Sequence, residues 1–268
     1  MGVDIIDFFK MNLALLQNQP LSGGIVAKNL RISDNGSGEL TLNGDFTITL
    51  KVLDLTTDGA PNLNSLMTFT QQVITSKLRG GGYQSGVRFL KYNAAKNIFD
   101  KDKTWTYSIR YNFGFSVNVM QISMLSQLKG NDFVLAVVDS MGHQFTDQYG
   151  KRHYSGGLTK GMGGPAVITY NTWLRNKYLG VHEFFHTLGL DDIEDHSKKE
   201  RLMYHLEDNT GQSISDAERG GIMNFMMRDL RQMLKGNYSN ISNNTVQLLR
   251  TFINDKTNGF KYNKAKFR

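Results

Sequence analysis

Hydrophobic and polar residues alternate along residues 46–53, as they do in a strand with one buried face. A strand-prone run at 24–32 and the run at 39–53 flank the turn-forming cluster at 33–38, and this arrangement predicts a β-hairpin. Three further strand-like runs follow at residues 104–122, Phe133–Val138 and 166–170. The middle one is apolar throughout, which is typical of a central strand covered on both faces.

Apolar residues recur at helical spacing over residues 62–79, and the glycines at 80–82 end that pattern. Ser215 and Glu218 form a capping box that predicts a helix running to about residue 235. Further helices are predicted at 4–16, from Asn171 or Thr172 to Leu188, and at 243–254. Strands and helices in this order predict an α+β chain whose helices pack on a twisted sheet.

The helix that ends at Leu188 carries the motif HExxHxxGxxD over residues 182–192. Residues i and i+4 lie on one face of a helix with Cβ atoms about 5–6 Å apart. His182 and His186 can therefore bind one Zn²⁺ ion at bond lengths of about 2.0–2.1 Å. A core helix whose histidines only satisfy hydrogen bonds is the alternative interpretation, and the glycine and carboxylate that follow count against it.

Three more positions of the motif suit a zinc hydrolase. Glu183 lies about 100° around the helix from His182, so it can reach the attacking water as a general base. Gly189 lets the chain leave the helix at positive φ, and the turn can carry Asp192 back as the third metal ligand. Asp191 and His196 are rival candidates for that third ligand.

His182, Glu183, His186 and Gly189 resemble the long motif of the metzincin clan of zinc endopeptidases, HExxHxxGxxH. The segment 201–204 resembles the family's Met-turn in its matrix-metalloprotease form, which would place Met203 beneath the metal. The resemblance extends over about residues 45–235. It implies a zincin-like α+β fold: a twisted, mainly parallel mixed sheet of about five strands with packed helices, an active-site helix, a Met-turn and a C-terminal helix.

From this order of elements we expect two regions in the chain. Residues 1–44, a helix plus a hairpin, form an N-terminal extension packed on a catalytic domain at 45–268. That domain has an upper part at 45–190 and a lower part at 191–268.

Asp192 departs from the family pattern, which has histidine there, although the snapalysin group carries aspartate. A carboxylate in place of an imidazole leaves the site with a net charge of +1 instead of +2, which makes the metal a weaker Lewis acid. His205 occupies the position of the metal-gating tyrosine of astacin-like relatives, and it is a candidate contact to substrate. Tyr204 lies one residue too early for that role.

A second polar cluster comprises Asp139, His143, Asp147 and His153. Similar loops in matrix metalloproteases hold structural zinc or calcium. The spacing here is not diagnostic of a metal site, and a solvated polar loop is the favoured interpretation.

The amino-acid composition limits the possible domain organisation, the possible metal ligands and the role of the basic terminus. The chain has 268 residues, 40% of them hydrophobic, which supports one large domain or a domain with an extension. It has no cysteine, so metal ligands must come from His, Asp or Glu. The net charge is +7, and basic residues concentrate after Leu230. A solubilising basic terminus is favoured over a nucleic-acid or membrane-binding tail, because no nucleic-acid module accompanies it.

These observations predict a zinc-dependent endopeptidase that acts on a protein or peptide substrate, without nucleic acid and without a membrane span. Asp4 and Asp7 precede any lysine, so no secretory signal is expected. We therefore expect signal-independent delivery outside the producing cell or a domain of a larger exported protein, with a cytoplasmic location left open. A monomeric effector or toxin, with a cognate inhibitor or immunity protein, fits that expectation. The alternative is a catalytically inactive, protease-like binding module that uses its basic C-terminal surface.

Overall fold

A computed structural model describes residues 24–93, 98–129, 132–146, 149–204, 212–226 and 245–267. The strands in these residues are β1 Ile25–Gly36, β2 Glu39–Asp54, β3 Gly82–Asn93, β4 Ile98–Ile122, β5 Phe133–Val138, β6 Gln144–Thr146, β7 Arg152–Tyr154, β8 Gly157–Thr159 and β9 Ala166–Thr169. The helices are α1 Leu63–Leu78, α2 Tyr170–Arg175, α3 Leu179–Thr187, α4 Asp216–Met226 and α5 Thr245–Asn254. The architecture is mixed α+β. In the described ranges, no helix combines the length and the apolar character that crossing a bilayer requires.

The contacts divide the chain into two compact units. The first consists of Met1–Ile48, Leu78–Ser116 and Ser215–Ile241, and the second of Thr49–Lys77, Val117–Ile214 and Ser242–Arg268. The predicted division into an extension at 1–44 and a catalytic domain at 45–268 stays a prediction, and its boundary falls within β2. The predicted helix at 4–16 lies outside the described residues.

In the first unit, β1 and β2 form the predicted hairpin. They pair antiparallel with Ile25 opposite Ile48. The turn between them uses positive φ angles of 78°, 55° and 77° at Gly36, Ser37 and Gly38. Glycine and small polar residues tolerate this region, so the turn-forming cluster was a reliable signal.

The second hairpin of this unit pairs β3 with β4. The run 104–122 forms part of the single long strand β4, but the sequence did not predict β3. A register shift between Gln84 and Val87, with Gly86 at a φ of 69°, interrupts the period-two pattern there.

Helix α4 packs on β3 in the same unit. The predicted capping box is confirmed: Glu218 Oε2 accepts a hydrogen bond from Ser215 N at 2.7 Å, and Glu218 N donates to Ser215 Oγ at 3.2 Å. A Cβ at Gly220 would overlap the main chain of Tyr83, so only glycine allows this close approach. The predicted continuation of the helix to residue 235 lies outside the described residues.

The second unit contains a mostly parallel sheet. The end of β2 pairs in parallel with β5, with Leu50 opposite Phe133, and β5 pairs in parallel with β9. Strand β8 pairs antiparallel with β9 and is the edge strand of this part of the sheet within the described residues. Every residue of β5 is buried, which confirms the predicted central strand.

The C-terminal part of the chain packs on this unit. Helix α5, predicted at 243–254, buries Leu249, Phe252 and Ile253 in an apolar cluster that also contains Phe267. Lys261 N donates to Ser140 O at 2.8 Å, and further main-chain hydrogen bonds tie the segment after α5 to the same unit. The described part of the basic terminus, residues 245–267, is therefore folded onto this unit.

Candidate metal centre

The motif region forms two helices where the sequence predicted one. Asn176 ends α2, and its side-chain oxygen accepts a hydrogen bond from Tyr178 N at 3.1 Å. An asparagine that bonds to the backbone two residues further on competes with the helix, which explains the break. The predicted caps Asn171 and Thr172 were wrong, because α2 begins at Tyr170 with Thr169 as its N-cap.

Helix α3 is anchored by one apolar face. It packs on β8 and β9. Val181, Phe184, Phe185 and Leu188 are fully buried, and the ring of Phe184 meets that of Phe133 edge-on at 5.2 Å. Because these residues recur at helical spacing, His182 and His186 lie on another face and line a cleft.

Three candidate ligand atoms converge at this cleft. The Nε2 atoms of His182 and His186 lie 3.0 Å apart, and Asp192 Oδ1 lies 3.2 and 3.3 Å from them. Two ligands of a tetrahedral zinc ion with bonds of about 2.0–2.1 Å lie ~3.3 Å apart. The three atoms therefore fit the ligand set of one metal ion with one coordination position left for substrate or water.

Backbone carbonyls hold both imidazoles in the orientation that metal binding requires. His182 Nδ1 lies 3.0 Å from Leu202 O, and His186 Nδ1 lies 2.7 Å from Leu190 O. Since a carbonyl oxygen only accepts, each Nδ1 carries a proton and donates it. In a neutral imidazole this leaves the lone pair of Nε2 available to a metal ion.

Gly189 directs the chain from α3 to the third candidate ligand. It has a φ of 89°, as expected of a helix-ending glycine, and the following turn carries Asp192 to the imidazoles. Asp191 also lines the cleft, but it does not belong to the converging group. His196 opens a short 3₁₀ turn, and its side chain lies outside the described part of the structure. The ligand assignment stays a prediction, for which Asp192 has the fitting position.

The contacts among these residues shift the pKa values of two candidate ligands, His186 and Asp192. Burial lowers the pKa of His186, but the hydrogen bond with Asp192 and the negative charges of Glu183 and Asp192 raise it overall to about 9. Burial raises the pKa of Asp192, but its hydrogen bonds with His182 and His186 hold it well below its usual range. The metal-free group therefore holds an ionised carboxylate and a proton, and a metal ion would replace that proton.

Glu183 lies beside the ligand group and is almost completely buried, with 5% of its surface exposed. Thr159 Oγ1 donates a hydrogen bond to Glu183 Oε2 at 2.7 Å. Gly157 lies against the same side chain, because a Cβ at that position would overlap it. The sequence analysis predicts neither contact, because the three-residue strand β8, which supplies both residues, is not among its predicted strands.

The predicted Met-turn is a tight turn in which Tyr204 N donates to Arg201 O at 3.2 Å. Met203 is fully buried, and its carbonyl accepts from Ile193 N at 2.8 Å. The turn supports the ligand group through the carbonyl of Leu202, which accepts from His182. The position of Met203 beneath a metal stays a prediction, and His205 lies outside the described residues.

The three described residues of the second polar cluster, Asp139, His143 and His153, do not converge on one point. Asp139 accepts hydrogen bonds from Thr57 N and Oγ1, while His143 Nδ1 lies 2.8 Å from Ser155 Oγ. His153 stacks on Phe145 with ring centroids 5.3 Å apart, and Asp147 lies outside the described residues. Within the ranges that the structure describes, metal-type side chains converge only at His182, His186 and Asp192.

The cleft around this group has a volume of about 770 Å³. Strand β8 borders one side and the turn with Leu202 and Tyr204 another. Exposed acidic residues, Asp191 and Glu194, also line it. All of these residues belong to the second unit, so the cleft is complete within it.

No protein-family model matches the chain, and no curated protein matches it. Among solved structures the chain is similar to archaemetzincin from Methanopyrus kandleri, with a TM-score of 0.35 and 13% sequence identity. The similarity covers 71% of this chain and 95% of that one. It is a distant likeness of fold.

Proposed function

We propose that this protein is a zinc-dependent endopeptidase built on a metzincin-like catalytic unit. The observation that carries the proposal is the convergence of His182, His186 and Asp192 in a cleft, with the buried carboxylate of Glu183 beside them. Two imidazoles and one carboxylate are a common ligand set of catalytic zinc. The backbone carbonyls behind both imidazoles match the outer contacts that such ligands usually have.

The chemistry divides between the ion and the side chains. When bound, zinc would polarise the scissile carbonyl and acidify a water molecule. Glu183 would take the proton of the attacking water and later transfer it to the leaving amine. The buried position of Glu183 supports this role, since a carboxylate held by fixed contacts keeps its orientation through the reaction.

In the part of the chain that the structure describes, no strand pairs with the outer side of β8, and this edge suits an extended peptide. Gly156 O accepts from Thr169 N at 2.8 Å, and Lys160 N donates to Pro165 O at 2.9 Å. Bonded residues alternate in an antiparallel ladder, so Leu158 bonds towards β9 while the backbone groups of Gly157 and Thr159 point away from it. A substrate segment can add there as a further strand, beside the ligand group.

The test combines metal analysis with one conservative substitution. We expect close to one zinc ion per chain and cleavage of an unfolded protein, such as casein, that a chelator abolishes. Glu183→Gln should keep the zinc and lose at least about 100-fold in cleavage rate, because general-base catalysis is removed. Glu194→Gln, an exposed change in the same cleft, is the matched control and should keep the activity. Equal cleavage by Glu183→Gln and the unchanged protein would refute the proposal.

An inactive, protease-like binding module is the competing function, with the basic C-terminal surface as its binding site. Lys256, Lys261 and Lys264 are exposed in that segment. If the zinc-loaded protein cleaves nothing and charge-reversing these lysines abolishes binding of a captured protein, the binding module replaces the peptidase.

An effector or toxin role, with an inhibitor or immunity protein as partner, is a separate proposal. Its test is expression of the unchanged chain and of Glu183→Gln inside cells. Growth arrest that needs Glu183 would support a proteolytic effector, and equal growth of both strains would contradict it.

A further inference from the structure

Two residues of the edge strand contact the side chain of Glu183. Thr159 Oγ1 lies 2.7 Å from Glu183 Oε2 and 3.1 Å from Glu183 O. A threonine hydroxyl has one proton to donate, and the shorter bond goes to the carboxylate. Hydrogen bonds to an ionised acceptor are about twice as strong as neutral ones, so this bond can fix the position of the carboxylate.

Gly157 provides the space that the same side chain occupies. A Cβ on Gly157 would lie 2.5 Å from Glu183 Cδ and 2.6 Å from Cγ, well inside van der Waals contact. Its φ lies outside the left-handed region, so the requirement for glycine is one of space and not of backbone strain. The side chain of Glu183 is therefore confined by its hydrogen bond with Thr159 and by close packing against Gly157.

The third residue of β8, Leu158, helps to keep Gly157 and Thr159 facing Glu183. Gly157 and Thr159 are two residues apart and so face the same side of the sheet, towards α3. Leu158 faces the other side and packs against the apolar cluster that includes Val167 and Phe252. A shift of β8 by one residue would turn Leu158 out of the apolar cluster towards α3 and would withdraw the hydroxyl from Glu183.

We propose that β8 holds the general base in place, with Thr159 as a positioning residue for Glu183 and Gly157 as the space its carboxylate requires. The inference rests on the proposed peptidase function for its catalytic part. The backbone groups of the same two residues point away from β9, towards the place where an extended substrate would bind. A peptide on this edge would therefore be aligned by the strand that also positions Glu183.

The first experiment is kinetic and uses the zinc-loaded full chain with a peptide substrate. Thr159→Val should lower kcat about 10–100-fold, a part of what general-base catalysis contributes, with KM within about twofold. The zinc dissociation constant should also stay within about twofold. Thr159→Ser keeps the hydroxyl and should restore kcat to within about threefold.

Thr75→Val is the matched control, because Thr75 Oγ1 bonds to Gln71 O within α1. It should leave kcat unchanged. A kcat of Thr159→Val within twofold of the unchanged protein would overturn the positioning role, as would equal losses in Thr159→Ser and Thr159→Val.

The second experiment needs no activity. The melting temperature of the metal-free protein is compared for Gly157→Ala in the unchanged chain and in Glu183→Ala. Overpacking should lower it by about 2–10 °C in the unchanged chain, and by less than about 2 °C where the glutamate side chain is removed. Equal losses in both backgrounds would overturn the contact.

The two experiments separate the two proposals. If the unchanged protein cleaves no peptide but the stability coupling is present, the contact between β8 and Glu183 stands and the peptidase function fails. If cleavage is present and neither coupling nor a selective loss of kcat is found, the peptidase function stands and the positioning inference fails.

Discussion

Zinc binding should release a proton from His186. In the metal-free protein the pKa of this residue is about 9, so it is about 99% protonated at pH 7. Zinc would occupy the same Nε2 atom that holds the proton beside Asp192. His186 should thus contribute about one released proton per zinc ion at pH 7, and the apparent affinity should rise about tenfold, or ~1.4 kcal/mol, per pH unit from 6.5 to 8.

The same shift makes the stability of the metal-free fold depend on pH. The folded pKa of about 9 lies above the ordinary histidine pKa of 6.5, so protonated His186 stabilises the folded state. This contribution, about 3 kcal/mol, is complete below pH 6.5 and is lost as the pH rises through about 9.

Calorimetric zinc titrations in two buffers of different ionisation enthalpy measure the number of released protons. Urea unfolding of the chelator-treated protein at several pH values measures the stability. Asp192→Asn is the control, because it removes the carboxylate that raises the pKa of His186. Its histidine should titrate at lower pH in NMR spectra. Release of less than about 0.3 proton at pH 7, with an affinity independent of pH, would refute this account of the site.

Three further predictions concern the ligand group and the fold. Asp192→Ala should weaken zinc binding by at least about 100-fold and Asp191→Ala by less than about threefold, as measured by competition with a chelating dye; the reverse order would make Asp191 the ligand. Gly189→Ala and Gly161→Ala should each lower the free energy of unfolding by about 1–2 kcal/mol, because both glycines have positive φ and the exposed Met162 side chain near Gly189 can move aside. A loss below about 0.5 kcal/mol for either variant in urea unfolding would contradict the argument from backbone strain. Leu249→Ala should cost about 2–5 kcal/mol in the same assay, and a loss below about 1 kcal/mol would show that α5 is not part of the core.

Structural elements that depend only on residues close together in the chain could be predicted from the sequence. The hairpin turn, the capping box at Ser215 and Glu218 and the buried strand β5 follow from residues adjacent in the chain. Strand β3 was missed because a register shift removes its alternation. The break at Asn176 was missed because asparagine is compatible with both a helix interior and a turn, and only its bond to Tyr178 decides between them.

In the candidate site, too, some features follow from the local sequence and others depend on the tertiary structure. The spacing of four residues places His182 and His186 on one helical face in any environment, so the sequence by itself determined that these two can share a metal ion. Which carboxylate can join them depends on the path of the chain after Gly189, and only the tertiary structure shows that Asp192 lies in the fitting position. The carbonyl of Leu202 and the hydroxyl of Thr159 approach from 20 and 24 residues away. Such contacts leave no periodic signal, because they arise only when a strand, a helix and a turn pack together.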